Sequence, residues 1–173
     1  MKIITTTKRL IIREMTLDDF SSLKEVISDK ETMKYYKAPY DDNGVNRWIS
    51  WCLSSYQKYG FGLYAVVLKD TNKMIGDCGI SMQKIDGEEL PELGYHLSKK
   101  YHRLGLATEM NKAMTDYFFN NFDFDTLYSY MTDENEPSYK TAEKNGMTLI
   151  KKYKDDDQLL RVYALTREEW KAL

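Results

Sequence analysis

Histidine, cysteine and proline are all scarce in this 173-residue chain: two, two and three residues respectively. Each shortage excludes something. With only His96 and His102, a histidine-built zinc site has too few ligands and a histidine-centred triad too few candidates, so no metal is expected. Cys52 and Cys78 show no metal-ligand spacing and are read as free thiols in a reducing cytoplasm. Pro39, Pro91 and Pro137 are isolated, and no Pro- or Gly-rich linker divides the chain. Residues 1–173 are therefore expected to form one domain. An excess of one charge is also missing: 25 Lys and Arg against 27 Asp and Glu leave −2, so nucleic acid is not an expected partner. No apolar run approaches the ~20 residues of a membrane span. The opening MKIITTTKRLIIREM has no apolar core of a signal peptide. A cytoplasmic protein without a membrane partner, monomeric or homodimeric, is the expectation.

Two common nucleotide motifs are absent as well. There is no GxxxxGK[ST] loop, and the only G-x-G, Gly60 to Gly62, precedes a strand rather than a helix.

What is present is patterned. Residues 8–14 (KRLIIRE) read as a strand. TLDDFSSLKEVISD follows as a helix capped by Thr16 or Asp18, with Phe20, Leu23, Val26 and Ile27 on one face. Residues 44–59 repeat that periodicity and end at Gly60. Strands are expected at 61–68, 74–85 and 92–99, with a hairpin at Asp86-Gly87. A helix carrying Met110, Met114 and Phe118 follows, then a strand at 126–133, a helix at 137–146, and a hairpin across Asp155 to Asp157. The sum is a mixed α/β domain, with a largely antiparallel sheet of about seven strands and about four helices.

Between the third strand of that run and its helix lies YHRLGLATEM, residues 101–110. Lys99 and Lys100 precede it, and His102 and Arg103 lie in it. Gly105 permits close backbone approach, and Ala107 leaves the next turn uncrowded. The amides of residues 103–108 would then point unpaired from a helix N-terminus, an arrangement suited to an anion. An ordinary strand-to-helix turn with a solvated basic edge has the same letters.

A second segment, DENEPSYKTAEKNGM at 133–147, adds to this turn. With RLIIREMTLDD, MIGDCGI and ELGYHLSKKYHRLGLATEM, in this order and spacing, it resembles the GNAT acetyltransferase superfamily, and most of all its Rim-type subgroup of ribosomal-protein N-terminal acetyltransferases. The resemblance covers roughly residues 8–165. It implies the GNAT fold and an acetyl-CoA-dependent N-acetyltransferase whose partners are acetyl-CoA and an amine acceptor. It also implies roles. The turn His102, Arg103, Leu104, Gly105, Leu106 and Ala107, with Thr108, would hold the coenzyme A pyrophosphate. Tyr95, His96 and Leu97 would run beside the pantetheine arm, an amide among them stabilising the thioester oxyanion. Asn135 would bond the pantetheine, Lys144 would join the coenzyme A site, and Ser138 would sit near the thiolate. Three departures stand out: His102 replaces Gln or Arg, Met147 replaces Phe, and Ala142 stands where many members carry a tyrosine acid.

The chemistry needs a base, because an amine attacks a thioester only when unprotonated. Glu92 is the expected base. Alternation puts Glu92, Gly94 and His96 on one strand face and Leu93, Tyr95 and Leu97 on the other. His96 is the alternative base. Ser138 is either the acid or a helix cap. Tyr35 and Tyr36 are expected at the acceptor pocket, and Trp48 and Trp51 in the core stripe of their helix. Asp41, Asp42 and Asp77 are expected as solvated surface, with attraction of a cationic amine as the alternative. The acceptor is a protein N-terminus or a small amine. Neither cysteine lies in the positions that carry chemistry in the family, so direct attack in a ternary complex is expected. A non-catalytic acyl-CoA-binding sensor or interaction module is the rival reading, which Ala142 favours.

Overall fold

The structure is a computed structural model that describes residues 1–173. The chain opens with β1 (Ile3–Thr6) and β2 (Leu10–Arg13), then α1 (Phe20–Ile27) and α2 (Asp42–Tyr59). Next come β3 (Leu63–Leu68), β4 (Met74–Ile85) and β5 (Glu88–Leu97). A crossover helix, α3 (Leu106–Asn121), leads to β6 (Thr126–Thr132) and α4 (Glu136–Lys144). The hairpin β7 (Thr148–Asp155) and β8 (Gln158–Thr166) and the short α5 (Arg167–Lys171) complete it.

All eight strands join one sheet in the order β1-β2-β3-β4-β5-β6-β8-β7. Every neighbouring pair is antiparallel except β5 and β6, which are parallel and aligned at one position only, Glu92 opposite Tyr128. Beyond that point the two strands part, and the rest of β5 has no strand partner on its β6 side.

The two sheet faces bury separate cores. Leu10, Tyr64, Cys78, Leu93 and Leu97 pack with Met110, Met114 and Phe118 of α3. On the other face Leu63, Ala65 and Val67 pack with Leu23 and Ile27 of α1 and Val45, Ile49 and Cys52 of α2. Cys78 on one face and Ala65 on the other follow from strand alternation. The helices start where short polar side chains accept backbone N–H bonds: Asp41 from Gly44, Asn135 from Ser138, and Thr166 from Glu169.

Eight strands and five helices stand against the expected seven and four. The additions are β1, four residues at the sheet edge, and α5, five residues with a capping box. Neither is long enough to show a period. β5 begins at Glu88 rather than Glu92, so Pro91 lies inside a strand. It is tolerated because β6 has not yet joined at that position, and no neighbour there asks for the missing N–H.

Candidate active site

The 101–108 turn sits at the parted end of β5. Gly105 adopts φ 76° and ψ 5°, the left-handed conformation that a glycine reaches at little cost. α3 starts directly after it with no side-chain cap, unlike α2, α4 and α5. Its first amides are therefore available to an outside acceptor, and the helix dipole favours an anion there. A methyl group built on Gly105 would meet only the Arg9 guanidinium, at 3.5 Å, so the space over the turn is open. Arg103 and Leu104 are exposed, Ala107 and Thr108 are half-buried, and the Leu106 side chain belongs to the core. His102 turns away from this space: its Nε2 meets the Leu97 carbonyl at 2.8 Å and ties the turn to the end of β5.

Sequence reasoning missed the residues that brace this turn. Arg9, between β1 and β2, donates to the Leu104 carbonyl at 2.8 Å and to Glu109 Oε2 at 2.7 Å. Thr7 and the Arg9 amide both donate to Glu109 Oε1. Burial alone would raise the Glu109 carboxyl, but these bonds outweigh it and hold it below its ordinary range. A carboxylate in the first turn of α3 would otherwise repel an anion at that helix end; its charge is neutralised by Arg9. Arg9 reaches these groups across some hundred residues of chain, which no local pattern reveals.

On the α1/α2 side of the sheet, a cavity of about 390 Å³ opens over β5. Glu92, His96 and Gly94 line it, as strand alternation requires, together with Tyr35 and Tyr36. Asn135, Ser138 and Tyr95 line it where α4 meets the parted strands. A narrower recess carries Tyr95, His96, Leu97, Asn135 and Ser138 onward to His102. The two recesses share Tyr95, His96, Asn135 and Ser138 and together run from the acceptor side to His102, while residues 103–108 line neither. Lys144 also lines neither. It is exposed at the end of α4 and lines another recess, with Lys112, Asp116 and Lys171.

Glu92 is buried, with only 8% of its surface exposed. Burial pushes its carboxyl up to about 8, against one bond from the Tyr130 amide that favours ionisation. Its side chain lies along the strand over Gly94, where a Cβ would stand 2.8 Å from Glu92 Oε2. Gly94 is thus the space the carboxyl occupies, a role the sequence did not disclose.

His96 is held from behind. Asp77, opposite it on β4, is fully buried and accepts three bonds: from the His96 amide and from Nδ1 of its ring, both at 2.9 Å, and from Trp48 Nε1 at 2.7 Å. An Nδ1–H committed to a carboxylate leaves Nε2 as the free ring acceptor. Asp77 is therefore no solvated surface group, and the strand pairing that makes it a histidine partner is invisible in sequence. The same bond removes one expected oxyanion donor, because the His96 amide is already taken. Tyr95 and Leu97 remain of the three. The other two acids have ordinary tasks: Asp41 caps α2, and Asp42 pairs with Lys24 at 2.6 Å.

Trp48 and Trp51, both half-buried, pack against the α1/α2 core and also form part of the cavity wall. Trp48 lies 5.3 Å from His96 and 4.9 Å from Trp51, and Tyr36 lies 5.1 Å from His96 on its other side. α2 turns its Val45–Ile49–Cys52 line to the core and its tryptophans towards the cleft. The loop from 28 to 41, closed by bonds from Tyr40 to Ile27 and from Ser28 to Tyr40, brings Tyr35 and Tyr36 over this wall.

Ser138 does not cap α4. Asn135 does, accepting from the Ser138 amide, so its Oδ1 is engaged and its amide NH2 is left for a ligand. The Tyr95 phenol reaches over the sheet edge to Thr141 and Ser138, and burial, the largest influence on it, keeps it protonated. A phenol therefore stands against α4 although Ala142 carries none. Both thiols, Cys52 and Cys78, are buried and pushed up by burial, which makes them inert as nucleophiles.

Comparison with known proteins agrees with this geometry. A model of the acetyltransferase (GNAT) domain matches residues 9–148. The chain is 30% identical over 166 residues to the N-acetyltransferase p20 of Bacillus licheniformis, covering 91% of each. Among solved structures, a GNAT-family acetyltransferase from Bacillus anthracis superposes with a TM-score of 0.80 at 25% identity, covering 97% of this chain and 99% of that one. The ribosomal L7/L12 α-N-protein acetyltransferase RimL, in complex with coenzyme A, has a TM-score of 0.78 at 16% identity, over 95% and 98% of the two chains. At that identity the likeness is one of fold.

Proposed function

The chain belongs to the GNAT acetyltransferase family, and on that premise we propose that an amine attacks acetyl-CoA directly in its cleft, with Glu92 as base. It is an N-acetyltransferase, and its acyl donor is acetyl-CoA. The turn at 102–108 would take the pyrophosphate on the free amides of α3, and Asn135 and the parted edge of β5 would take the pantetheine arm. The acceptor would enter from the α1/α2 side, over Glu92 and His96.

The observation that carries the assignment is the buried Glu92 carboxyl over Gly94, raised to about 8. A base works best with a pKa near the operating pH, and an ordinary carboxylate is too weak to take a proton from an amine. The amine nitrogen forms its bond to the thioester carbon while Glu92 takes the ammonium proton. The C–S bond then breaks, and the thiolate receives a proton from Ser138, replenished by the adjacent Tyr95 phenol or by water. A thiol with a pKa near ~8.5 leaves readily, so this acid need not be strong. The absence of an accessible thiol supports direct attack over an acyl-cysteine route. The Asp77–His96 pair favours a second reading, in which Nε2 of His96 is the base.

The test follows thiol release from acetyl-CoA against pH for the parent and Glu92→Gln. We expect the parent rate to rise through about pH 8 and the variant to lose that rise. An unchanged profile transfers the role to His96. Saturable acetyl-CoA binding with no amine-stimulated thiol release would reduce the protein to a binding module. The Rim-type subgroup, with a protein N-terminus as acceptor, is what the sequence resemblance alone implies, since the fold is common to the whole family.

A further inference from the structure

The acceptor end of the cleft has an unusual balance of charge and aromatic surface. Its wall is Tyr36, Tyr40, Trp48 and Trp51, in ring contact with one another or with His96 at 4.9 to 5.6 Å. Two carboxyls lie beneath it. Asp77 is fully buried, engaged by three donors, and absent from the lining. Glu92 alone reaches the cavity, and burial keeps it neutral over much of the neutral range. The remaining charged group at the cavity is Lys37, an exposed cation of the loop that carries Tyr36.

We propose that the acceptor is a small monoamine with a planar aromatic body, an arylalkylamine. The inference rests on the N-acetyltransferase reading and narrows its acceptor. One ammonium matches one ionisable carboxyl, and the cation also gains from aromatic faces. A flat ring matches a wall made of rings, which attract each other in offset and edge-on contacts. A polycation such as an aminoglycoside or a polyamine brings further ammonium groups, which would lose water with no carboxylate to meet them and would face Lys37. A peptide N-terminus also has one charge, and Ser81, Gln83, Ser129, Thr132 and Gln158 across the cavity offer its backbone polar partners, but a terminus such as Ala-Ser leaves the aromatic wall without a ring to meet it. A cavity of about 390 Å³ is of small-ligand size.

The experiment measures binding and turnover separately. Phenethylamine, tryptamine, spermidine, kanamycin and an Ala-Ser-initiated hexapeptide are titrated calorimetrically into the full chain loaded with coenzyme A. The same amines are then assayed for thiol release from acetyl-CoA. The expected result is binding of the arylalkylamines at least tenfold tighter than any other member of the panel. Trp51→Ala, and Tyr36→Ala in the exposed loop, should each raise the arylalkylamine Kd about tenfold without changing that of coenzyme A. Tighter binding of spermidine, kanamycin or the peptide overturns the proposal, as does an arylalkylamine Kd indifferent to both substitutions. Tight arylalkylamine binding with thiol release only from another amine of the panel also overturns the proposal, whereas no thiol release with any amine overturns the catalytic reading on which it rests.

Discussion

The two ends of the cleft are built from different material. The donor end is backbone: a left-handed glycine, an uncapped helix start and the open edge of a strand, all within residues 92–108. The acceptor end is side chain: a carboxyl and an imidazole from β5, an aspartate from β4, tryptophans from α2 and tyrosines from a loop. Backbone recognises a group common to every acyl-CoA and tolerates changes in side chains. Side chains recognise what differs between amines. The difference teaches where substitutions will matter and what each will change.

The sharpest way to break the donor end is Gly105→Val. A β-branched residue at φ 76° costs about 1–2 kcal/mol in backbone strain and covers the amides. Calorimetry should show acetyl-CoA affinity reduced at least about a hundredfold, some 2.7 kcal/mol, with an unchanged circular dichroism spectrum. Micromolar binding retained in that variant would mean the turn is no cradle. At the acceptor end, Glu92→Gln should lower kcat by about 10²-fold or more, the usual share of general-base catalysis. Its acetyl-CoA KM should hardly move, and an equal loss in both parameters would erase the division between the ends. Gly94→Ala acts on the same carboxyl indirectly. Its Cβ would stand 2.8 Å from Glu92 Oε2, so the carboxyl must shift. A kcat reduced by about tenfold is expected, in line with the sensitivity of catalysis to small misplacements; normal turnover would show that Glu92 has room to spare.

Glu92 also leaves a signature in stability. Folded, it holds its proton up to about pH 8; unfolded, only up to about 4.5. Between these values the folded state binds the extra proton, so this residue's contribution to stability falls as pH rises. The melting temperature of Glu92→Gln relative to the parent should therefore climb from pH 5 to pH 8. A difference that stays flat would mean the carboxyl is not buried. The smallest effect is expected from Arg9→Ala, which unties the turn from the β1–β2 hairpin. The variant loses the side-chain bonds to the Leu104 carbonyl and to Glu109 Oε2, and a typical bond is worth about 0.5–1.5 kcal/mol. The acetyl-CoA KM should rise about threefold to tenfold with kcat unchanged, and a change in kcat instead would tie Arg9 to the acceptor end.

The long elements were readable because their side chains are periodic. Val45, Ile49 and Cys52 declare the buried face of α2, and the unbroken apolar run from Leu63 to Leu68 declares a strand covered on both faces. β1 and α5 escaped because four or five residues hold less than one useful period. Asp77 escaped for another reason. An aspartate is ordinarily solvated, and only the β4–β5 register sets this one behind His96.

The sequence by itself determined the chain's family, the place of the glycine turn proposed for the donor and the strand face shared by Glu92 and His96, because each is carried by short stretches of neighbouring residues. Only the tertiary structure decided that Glu92 is buried enough to titrate near 8. It also decided that Asp77 orients His96, that Arg9 braces the turn, and that two tryptophans at the margin of the core also wall the cavity. Those properties depend on distance and dielectric between segments far apart in the chain, and these are set when the sheet assembles.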